Sequence, residues 1–289
     1  MIRGGVARTL LCVSALLVAL AACTPDIVFV SDEYLDEVVV DDEFQQRARR
    51  LAENREKRIE IVVVGTDAGL LELAEAPCYL FSPILRDVGL QYALETEATI
   101  YVFGRPQVEI GSNVATLTFD RTEAFYDAGR EAASLVEASD ALVGALILAD
   151  SDARRDERDA FLSGYNEAAS GERLRSRAYS REPRREELRS DVRDMLTRGI
   201  STLFVALGRQ NAFVLDLLAG QDVSVITEDA AATGGFGDLV VFSIERSLAS
   251  ALEATLDACL EGTGETVSVR AQLMRLNEGN DILVEGEKN

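Results

Sequence analysis

Residues 114–168 decide the fold: VATLTFDRTEAFYDAGREAASLV runs from Val114 to Val136, and ALVGALILADSDARRDERDAFLSGYNEA runs from Ala141 to Ala168. Each of these two segments begins with a short apolar run and continues with a longer stretch in which apolar residues recur every three or four positions. The first pattern predicts a buried strand, and the second predicts an amphipathic helix. The region therefore predicts two successive βα units, the unit from which parallel sheets are built.

The same alternation extends along the rest of the chain. Runs such as Ile61–Val64 are apolar on both faces, as strands covered by helices on both sides must be. Asp120 and Glu123 predict a capping box at the start of the helix that follows. Further helices are predicted from about Arg154 to Ala169 and from about Ser243 to Gly262. The predicted strands are Ile27–Ser31, Ile59–Gly65, Cys78–Ser82, Ala98–Phe103, Val114–Phe119, Leu142–Ala149, Leu174–Ser180, Thr202–Leu207, Val223–Thr227, Leu239–Phe242 and Val267–Leu273.

The N-terminus has the features of an export signal. Arg3 and Arg8 precede an apolar run from Leu10 to Leu20, which is about half of the roughly 20 residues that a membrane-spanning helix needs. The segment Leu20-Ala21-Ala22-Cys23 resembles a bacterial lipobox, although a cysteine after an ordinary signal peptide is the alternative. We therefore predict that residues 1–22 are removed, that Cys23 is lipidated, and that the chain is anchored in the bacterial cell envelope on an extracytoplasmic face.

The chain is strongly acidic, with 29 basic and 50 acidic residues and a net charge of −21. This charge argues against nucleic acid as a partner, because phosphate binding needs a basic surface. It also predicts repulsion from anionic lipid headgroups, which leaves the acyl chains as the membrane contact. The segment from Arg173 to Arg198 is rich in Arg with Glu and Asp interspersed, a pattern typical of a solvated, ion-paired helix face.

The cysteine and histidine content limits the metal sites and catalytic mechanisms that the chain can have. The chain has no His, and signal removal and lipidation would leave Cys78 and Cys259 as its only free cysteines. These two form a disulfide in an oxidising compartment or remain as two buried thiols. A zinc site of the usual His/Cys kind and His-dependent nucleophilic catalysis are both excluded. The sequence therefore predicts no cofactor, no metal site and no enzymatic activity.

The stretch quoted above resembles the crossover region of type I periplasmic binding proteins, most closely the basic membrane lipoprotein branch, whose characterised members bind nucleosides. The resemblance is carried by a Phe-x-x-Gly pattern, slightly stretched at Phe125–Gly129, and by Phe161, Gly164 and Tyr165. Residues 61–77 and 223–262 are similar to further strand and helix segments of that branch. Thr66 stands where the branch usually has an aromatic residue, and the chain has no Trp. The aromatic residues that usually stack on a nucleoside base are therefore absent from these positions.

The resemblance implies an α/β fold with two Rossmann-like lobes, each a doubly wound parallel sheet, joined by three crossings. It assigns residues 23–117 plus 243–262 to the N-terminal lobe. Residues 118–242 plus 263–289 form the C-terminal lobe. Both remaining cysteines then fall in the same lobe.

Ligands of doubly wound sheets lie outside the carboxyl ends of the strands. By resemblance, Asp229 is expected to bind ligand hydroxyls, and its alternative role is to cap a turn or helix. The same two roles are open to Asp67 and Asp120, which sit where helices begin. Ser31, Ser82, Ser151 and Glu228 also lie near these strand ends. The candidate ligand-binding residues are Asp32, Thr66, Asp67, Asp120, Asp150, Arg209, Asn211 and Asp229.

The function that the resemblance implies is that of a solute-binding lipoprotein. Such a protein captures a small polar ligand, nucleoside or sugar-like, between two lobes and presents it to an ABC permease or a sensor. The alternative is a ligand-free structural or regulatory envelope lipoprotein that binds another protein. An open polar cleft favours the first function, and an apolar outer patch favours the second.

Overall fold

The computed structural model describes residues 24–33, 35, 42–65, 73–104, 111–136, 141–169, 173–230 and 239–276. The predicted signal segment 1–22, Cys23, Thr66 and Asp67 lie outside these ranges. No helix in the described ranges is long and apolar enough to cross a bilayer.

The chain forms two compact units and passes between them three times. Unit 1 contains the described residues up to Phe119 together with Leu248–Val269. Unit 2 contains Asp120–Ser247 and the described residues from Arg270 onward. Each change of unit occurs a few residues later along the chain than the sequence predicts.

Unit 1 is a six-stranded sheet with helices on both faces. The strand order is β11-β5-β4-β3-β1-β2, and the pairs formed among β1 to β5 are parallel. One face packs against α1 and α7, and the other packs against α2. The elements are β1 (Ile27–Asp32), α1 (Asp42–Glu53), β2 (Ile59–Val64), β3 (Cys78–Phe81), α2 (Arg86–Tyr92), β4 (Thr99–Phe103), β5 (Val114–Asp120), α7 (Leu248–Glu261) and β11 (Val267–Arg270).

Unit 2 repeats this architecture. Its strand order is β12-β10-β9-β8-β6-β7, in which only the β12–β10 pair is antiparallel among the described strands. Helices α3 and α4 cover one face, and α5 and α6 cover the other. The elements are α3 (Thr122–Val136), β6 (Leu142–Leu148), α4 (Asp152–Ala168), β7 (Leu174–Tyr179), α5 (Arg185–Thr197), β8 (Ile200–Ala206), α6 (Asn211–Leu218), β9 (Ser224–Glu228), β10 (Val240–Glu245) and β12 (Gln272–Arg275). The predicted α/β fold with two lobes of mainly parallel sheet is confirmed.

Helices α3 and α4 touch through their backbones at two glycines. A Cβ atom built on Gly129 would lie 2.1 Å from the carbonyl oxygen of Phe161, and one built on Gly164 would lie 2.0 Å from that of Tyr126. Neither position therefore tolerates a side chain while the helices stay in contact. The adjacent Phe161 stacks on Phe204 of the sheet at 4.2 Å between ring centroids. The Phe and Gly positions identified in the sequence thus hold this helix pair against the sheet.

Two local predictions are wrong. The predicted strand Val267–Leu273 is two strands, β11 in the sheet of unit 1 and β12 in that of unit 2, because the chain changes unit at Arg270. The predicted capping box also differs, since Glu123 accepts a hydrogen bond from Arg270 at 2.9 Å. Asp120 still caps α3 by accepting from the backbone N–H of Thr122 at 3.0 Å.

Cys78 and Cys259 form a disulfide in unit 1, with their Cα atoms 5.9 Å apart. The bond joins β3 to α7, two elements separated by 181 positions in the chain. It therefore ties the returning segment Leu248–Val269 to the strands that the N-terminal part of unit 1 supplies.

Candidate functional site

Four of the predicted ligand-binding residues lie at the carboxyl edge of the sheet in unit 2. Asp150 follows β6, Arg209 and Asn211 follow β8, and Asp229 follows β9. These three strands are adjacent and parallel, so their carboxyl ends meet at one edge. Asp150 and Arg209 are exposed there, whereas Asn211 is buried. Among the described residues, no group of three or more Cys, Asp or Glu is placed to hold a metal ion.

Asn211 shapes the loop at this edge. Its Oδ1 accepts a hydrogen bond from the backbone N–H of Leu207 at 2.7 Å, and its Nδ2 donates to the backbone carbonyl of Glu228 at 3.3 Å. The side chain therefore joins the end of β8 to the end of β9. Through these bonds, Asn211 fixes the positions of the chain segments that follow β8 and β9.

Asp229 has an uncommon backbone conformation. Its φ is +54°, in the left-handed region that few non-glycine residues adopt, although Asp is among the more tolerant ones. Its N–H donates to the carbonyl of Ile244 at 3.0 Å, and its carboxylate accepts two bonds from Arg246, at 2.9 and 2.5 Å. A bidentate pair of this kind is both strong and directional. The neighbouring strand β10 and its following arginine thus hold Asp229 in this conformation.

A buried network of two arginines and two glutamates lies beneath the edge. Glu228 is 1% exposed and accepts bonds from Arg121, from Arg154 at 3.0 Å, and from the backbone N–H of Gly208 at 2.8 Å. Glu157 accepts two bonds from Arg121, at 2.8 and 2.7 Å. Its Oε2 also lies 3.4 Å from Arg154. The network therefore contains equal numbers of positive and negative groups, which buried charges require.

The two glutamates of this network are electrostatically unequal. Burial raises the pKa of Glu157, and the attraction of Arg121 and Arg154 does not fully offset that effect. For Glu228, burial also acts to raise the pKa. There the two arginines and the hydrogen bonds from Arg154 and Gly208 outweigh burial, so its pKa lies below the ordinary value. Glu228 is therefore the more firmly ionised member.

Asp32 lies in unit 1 at the end of β1. It is fully buried, and it accepts bonds from the backbone N–H of Leu35 at 3.0 Å and from the hydroxyl of Ser82 at 2.5 Å. Both carboxylate oxygens thus have partners from the same unit. These contacts give Asp32 a role in joining the ends of β1 and β3.

Asp120 lies apart from the other predicted residues of unit 2. It borders a groove of about 600 Å³ between the first turns of α3 and the exposed side of α4. Hydrogen bonds from Thr122, and then the charge of Arg270, lower the pKa of the exposed Asp120 and outweigh a smaller opposing effect of desolvation. The groove is lined by Asp120, Thr122, Glu123, Tyr126, Asp156, Asp159, Ala160, Ser163 and Arg270.

The sequence reasoning did not identify Arg121, Arg154, Glu157 or Arg246. Arg154 and Glu157 lie three positions apart on a helix crowded with charged residues, and nothing in that pattern distinguishes a buried pair from a solvated one. The sequence predicts Glu228 at the edge but does not identify it as a binding residue. An acidic residue ending an apolar strand was the available signal for its burial.

The fold of this chain matches those of solved type I periplasmic-binding-protein-like structures at low sequence identity. An ABC transporter solute-binding protein from Conexibacter woesei is 14% identical, with 90% of each chain covered and a TM-score of 0.57. A mutant XylFII–LytSN complex matches at 17% identity, 88% and 99% coverage and a TM-score of 0.58. A transcriptional activator of the comK gene from Bacillus halodurans matches at 14% identity, 88% and 91% coverage and a TM-score of 0.58.

No family model and no curated protein matches this sequence. The likeness to the solved structures therefore establishes the fold. These structures are of a transport protein, a complex and a transcriptional activator, so the fold serves more than one function.

Proposed function

We propose that this chain is a solute-binding protein that holds a small, uncharged polar ligand at the carboxyl edge of the sheet in unit 2. The observation that carries the proposal is the gathering of Asp150, Arg209 and Asp229 at the ends of adjacent parallel strands, on a fold shared with ABC solute-binding proteins. Edges of this kind are where doubly wound sheets bind ligands. The role is binding without chemical conversion.

The charge balance of the edge supports an uncharged ligand. Arg121 and Arg154 are matched by Glu157 and Glu228, and Arg246 is matched by Asp229. A net charge on the ligand would have no counterpart within these pairs, whereas hydroxyl and amide groups can bind to both partners of each pair. We therefore propose a nucleoside or a sugar-like molecule. By the resemblance in residues 114–168, the basic membrane lipoprotein branch is the proposed affiliation.

We further propose that the protein is anchored through a lipidated Cys23 on an extracytoplasmic face of the cell envelope and delivers its ligand to an ABC permease or a sensor. The N-terminal sequence supports the anchor. The disulfide between Cys78 and Cys259 supports an oxidising compartment, because such bonds are rare in reducing cytosol. Metabolic labelling with a radioactive fatty acid tests the anchor, since Cys23→Ala should abolish incorporation.

The binding proposal is tested by thermal unfolding of the chain from Thr24 onward against nucleosides, sugars and amino acids. A ligand at one hundred times its Kd should stabilise the folded state by about 2.7 kcal/mol. Asp150→Ala and Arg209→Ala should weaken the response without changing the unliganded midpoint, because both side chains are exposed. Asp216→Ala, also exposed in unit 2, serves as the control and should respond like the wild type.

A second function is favoured by one specific observation: the carboxylates of Glu157, Glu228 and Asp229 already bind arginines within unit 2. Because these carboxylates are already paired, the edge needs no ligand to neutralise them. This arrangement is compatible with a ligand-free protein that contacts another envelope protein. The ligand panel separates the two functions. No midpoint shift across all classes would exclude the first function and support the second.

A further inference from the structure

A one-sided concentration of arginine lies on unit 2. Residues 173–198 contain nine Arg against five Asp or Glu, whereas the whole chain contains 29 basic against 50 acidic residues. The segment covers the edge strand β7, the loop after it and helix α5. A local excess of positive charge is thus set in an acidic protein.

The two flanks of α5 differ in whether their charged side chains form ion pairs. On the flank towards β7, Asp191 accepts a bond from Tyr179 at 2.7 Å and lies 3.5 Å from Arg177. Further along the helix, Asp194 pairs with Arg198 at 2.9 Å. Asp191 and Asp194 are therefore compensated by neighbouring arginines, whereas the exposed Glu187 forms no ion pair within the described parts of the chain.

The opposite flank carries Arg185, Arg189 and Arg193 at four-residue spacing, about 6 Å apart along the helix axis. Arg185 and Arg189 lie over the ring of Phe213 in α6, at 5.1 and 5.5 Å from its centroid. Such stacking fixes a guanidinium group without neutralising it. The three arginines thus outnumber the one exposed acidic residue on this side of the helix, Glu186, and leave it with a net positive charge.

Two more arginines, Arg181 and Arg184, come just before this helix. We call the five residues the arginine row: Arg181, Arg184, Arg185, Arg189 and Arg193. All five are exposed, and none forms an ion pair within 4 Å with a carboxylate in the described parts of the chain. The predicted face is thus solvated, as expected, but its predicted ion pairs are found at Arg177 and Arg198 and not at these five residues among the described parts of the chain.

We propose that the arginine row is an electrostatic docking surface for an anionic lipid bilayer. Clusters of four to eight basic residues bind anionic headgroups, and Arg matches phosphate with paired N–H donors. The large exposed hydrophobic residues of the described chain are Val63, Ile84, Leu94 and Leu135, none of which lies on α5 or in the loop before it. A basic surface without an apolar centre suits a charged lipid layer better than a protein pocket, which usually binds through buried apolar or aromatic anchors.

The acidity of the remaining chain does not prevent such docking. Charges interact over about 8 Å at physiological ionic strength, so the row dominates when it touches the headgroups directly. The proposal rests on surface charge alone and is independent of the ligand proposed above.

Vesicle co-sedimentation tests this proposal with the chain from Thr24 onward, which contains every described residue. We expect binding to vesicles of phosphatidylcholine with about one third phosphatidylglycerol, and little binding to pure phosphatidylcholine. Raising NaCl from about 25 mM to about 500 mM should release the protein, because the screening length falls severalfold. The triple variant Arg185→Gln, Arg189→Gln, Arg193→Gln should lower the partition coefficient at least tenfold.

The matched control is Arg49→Gln, Arg50→Gln, Arg130→Gln, which removes the same charge from exposed positions elsewhere and should stay within twofold of the wild type. If the first triple variant fails to fold, Arg181→Gln, Arg184→Gln, Arg193→Gln leaves the contacts with Phe213 intact and should show the same loss. Equal losses in the row and control variants would overturn the proposal, as would equal binding to neutral vesicles or no binding to anionic ones. Retention on immobilised polyglutamate without vesicle binding would also overturn it and would assign the row to an acidic protein.

Discussion

At the scale of single residues, Glu228 is the residue on which the buried network of unit 2 depends. It receives hydrogen bonds from two arginines and one backbone N–H, and it is almost fully buried. Glu228→Gln leaves Arg121 and Arg154 with one buried carboxylate between them. Since an uncompensated buried charge is strongly destabilising, we expect a loss of about 3–5 kcal/mol in the free energy of unfolding.

Chemical denaturation of the Glu228→Gln variant measures this loss. Asp216→Asn is the control, because its side chain is exposed and forms no ion pair with a described residue, and it should change stability by less than about 0.5 kcal/mol. A cost below about 1 kcal/mol for Glu228→Gln would show that the network does not stabilise unit 2.

The stability that Glu228 contributes should also depend on pH. Its pKa is lowered in the folded state, so this stability is fully present above the unfolded pKa of about 4.3 and is lost as the pH falls through the folded value. The difference in unfolding free energy between wild type and Glu228→Gln should be constant from about pH 7 to pH 5 and should shrink in more acidic buffer.

The comparison with Glu228→Gln is necessary because Glu157, whose pKa is raised, acts in the opposite direction. Denaturant unfolding across this pH range measures the difference between wild type and variant. A difference that stays flat down to about pH 3 would contradict the lowered pKa of Glu228.

At the scale of secondary-structure elements, the contact between α3 and α4 depends on glycine. Gly164→Ala places a methyl group 2.0 Å from a backbone oxygen, which cannot move independently of its helix. We expect the helices to separate and the unfolding free energy to fall by about 3 kcal/mol or more, the upper range for overpacking. Ser163→Ala, exposed on the same helix, should be nearly neutral, and thermal unfolding of both variants measures the difference.

The sequence predicted the elements of each sheet well, because strands buried on both faces are apolar throughout. It did not predict the separation of β11 from β12. The alternation of apolar and polar residues continues through Arg270, the residue at which the chain passes from unit 1 to unit 2. Residues of the candidate site that follow strands, such as Asp150 and Asp229, were found because strand ends mark the edge of the sheet. Their partners Arg154 and Arg246 were missed, because long side chains reach the edge from positions that no local pattern marks.

At the scale of the whole molecule, the disulfide of unit 1 links two segments that lie far apart in the sequence. Removing a native disulfide typically costs about 2–5 kcal/mol. Reduction, or the double change Cys78→Ser with Cys259→Ser, should therefore lower the free energy of opening of unit 1, measured by amide hydrogen exchange in β3 and α7. Exchange in β6 and β8 of unit 2 should stay the same, and equal loss of protection in both units would contradict this assignment.

The position of this bond also sets an order of assembly. When Cys78 has been synthesised, 181 further positions must follow before its partner exists, and the whole continuous segment of unit 2 from Asp120 to Ser247 is among them. Domains generally fold as units from the N-terminus onward, but unit 1 cannot be completed until the continuous segment of unit 2 has been synthesised. Cys78 in β3 therefore has no partner until α7 has been synthesised, and the bond then links the first part of unit 1 to its returning segment.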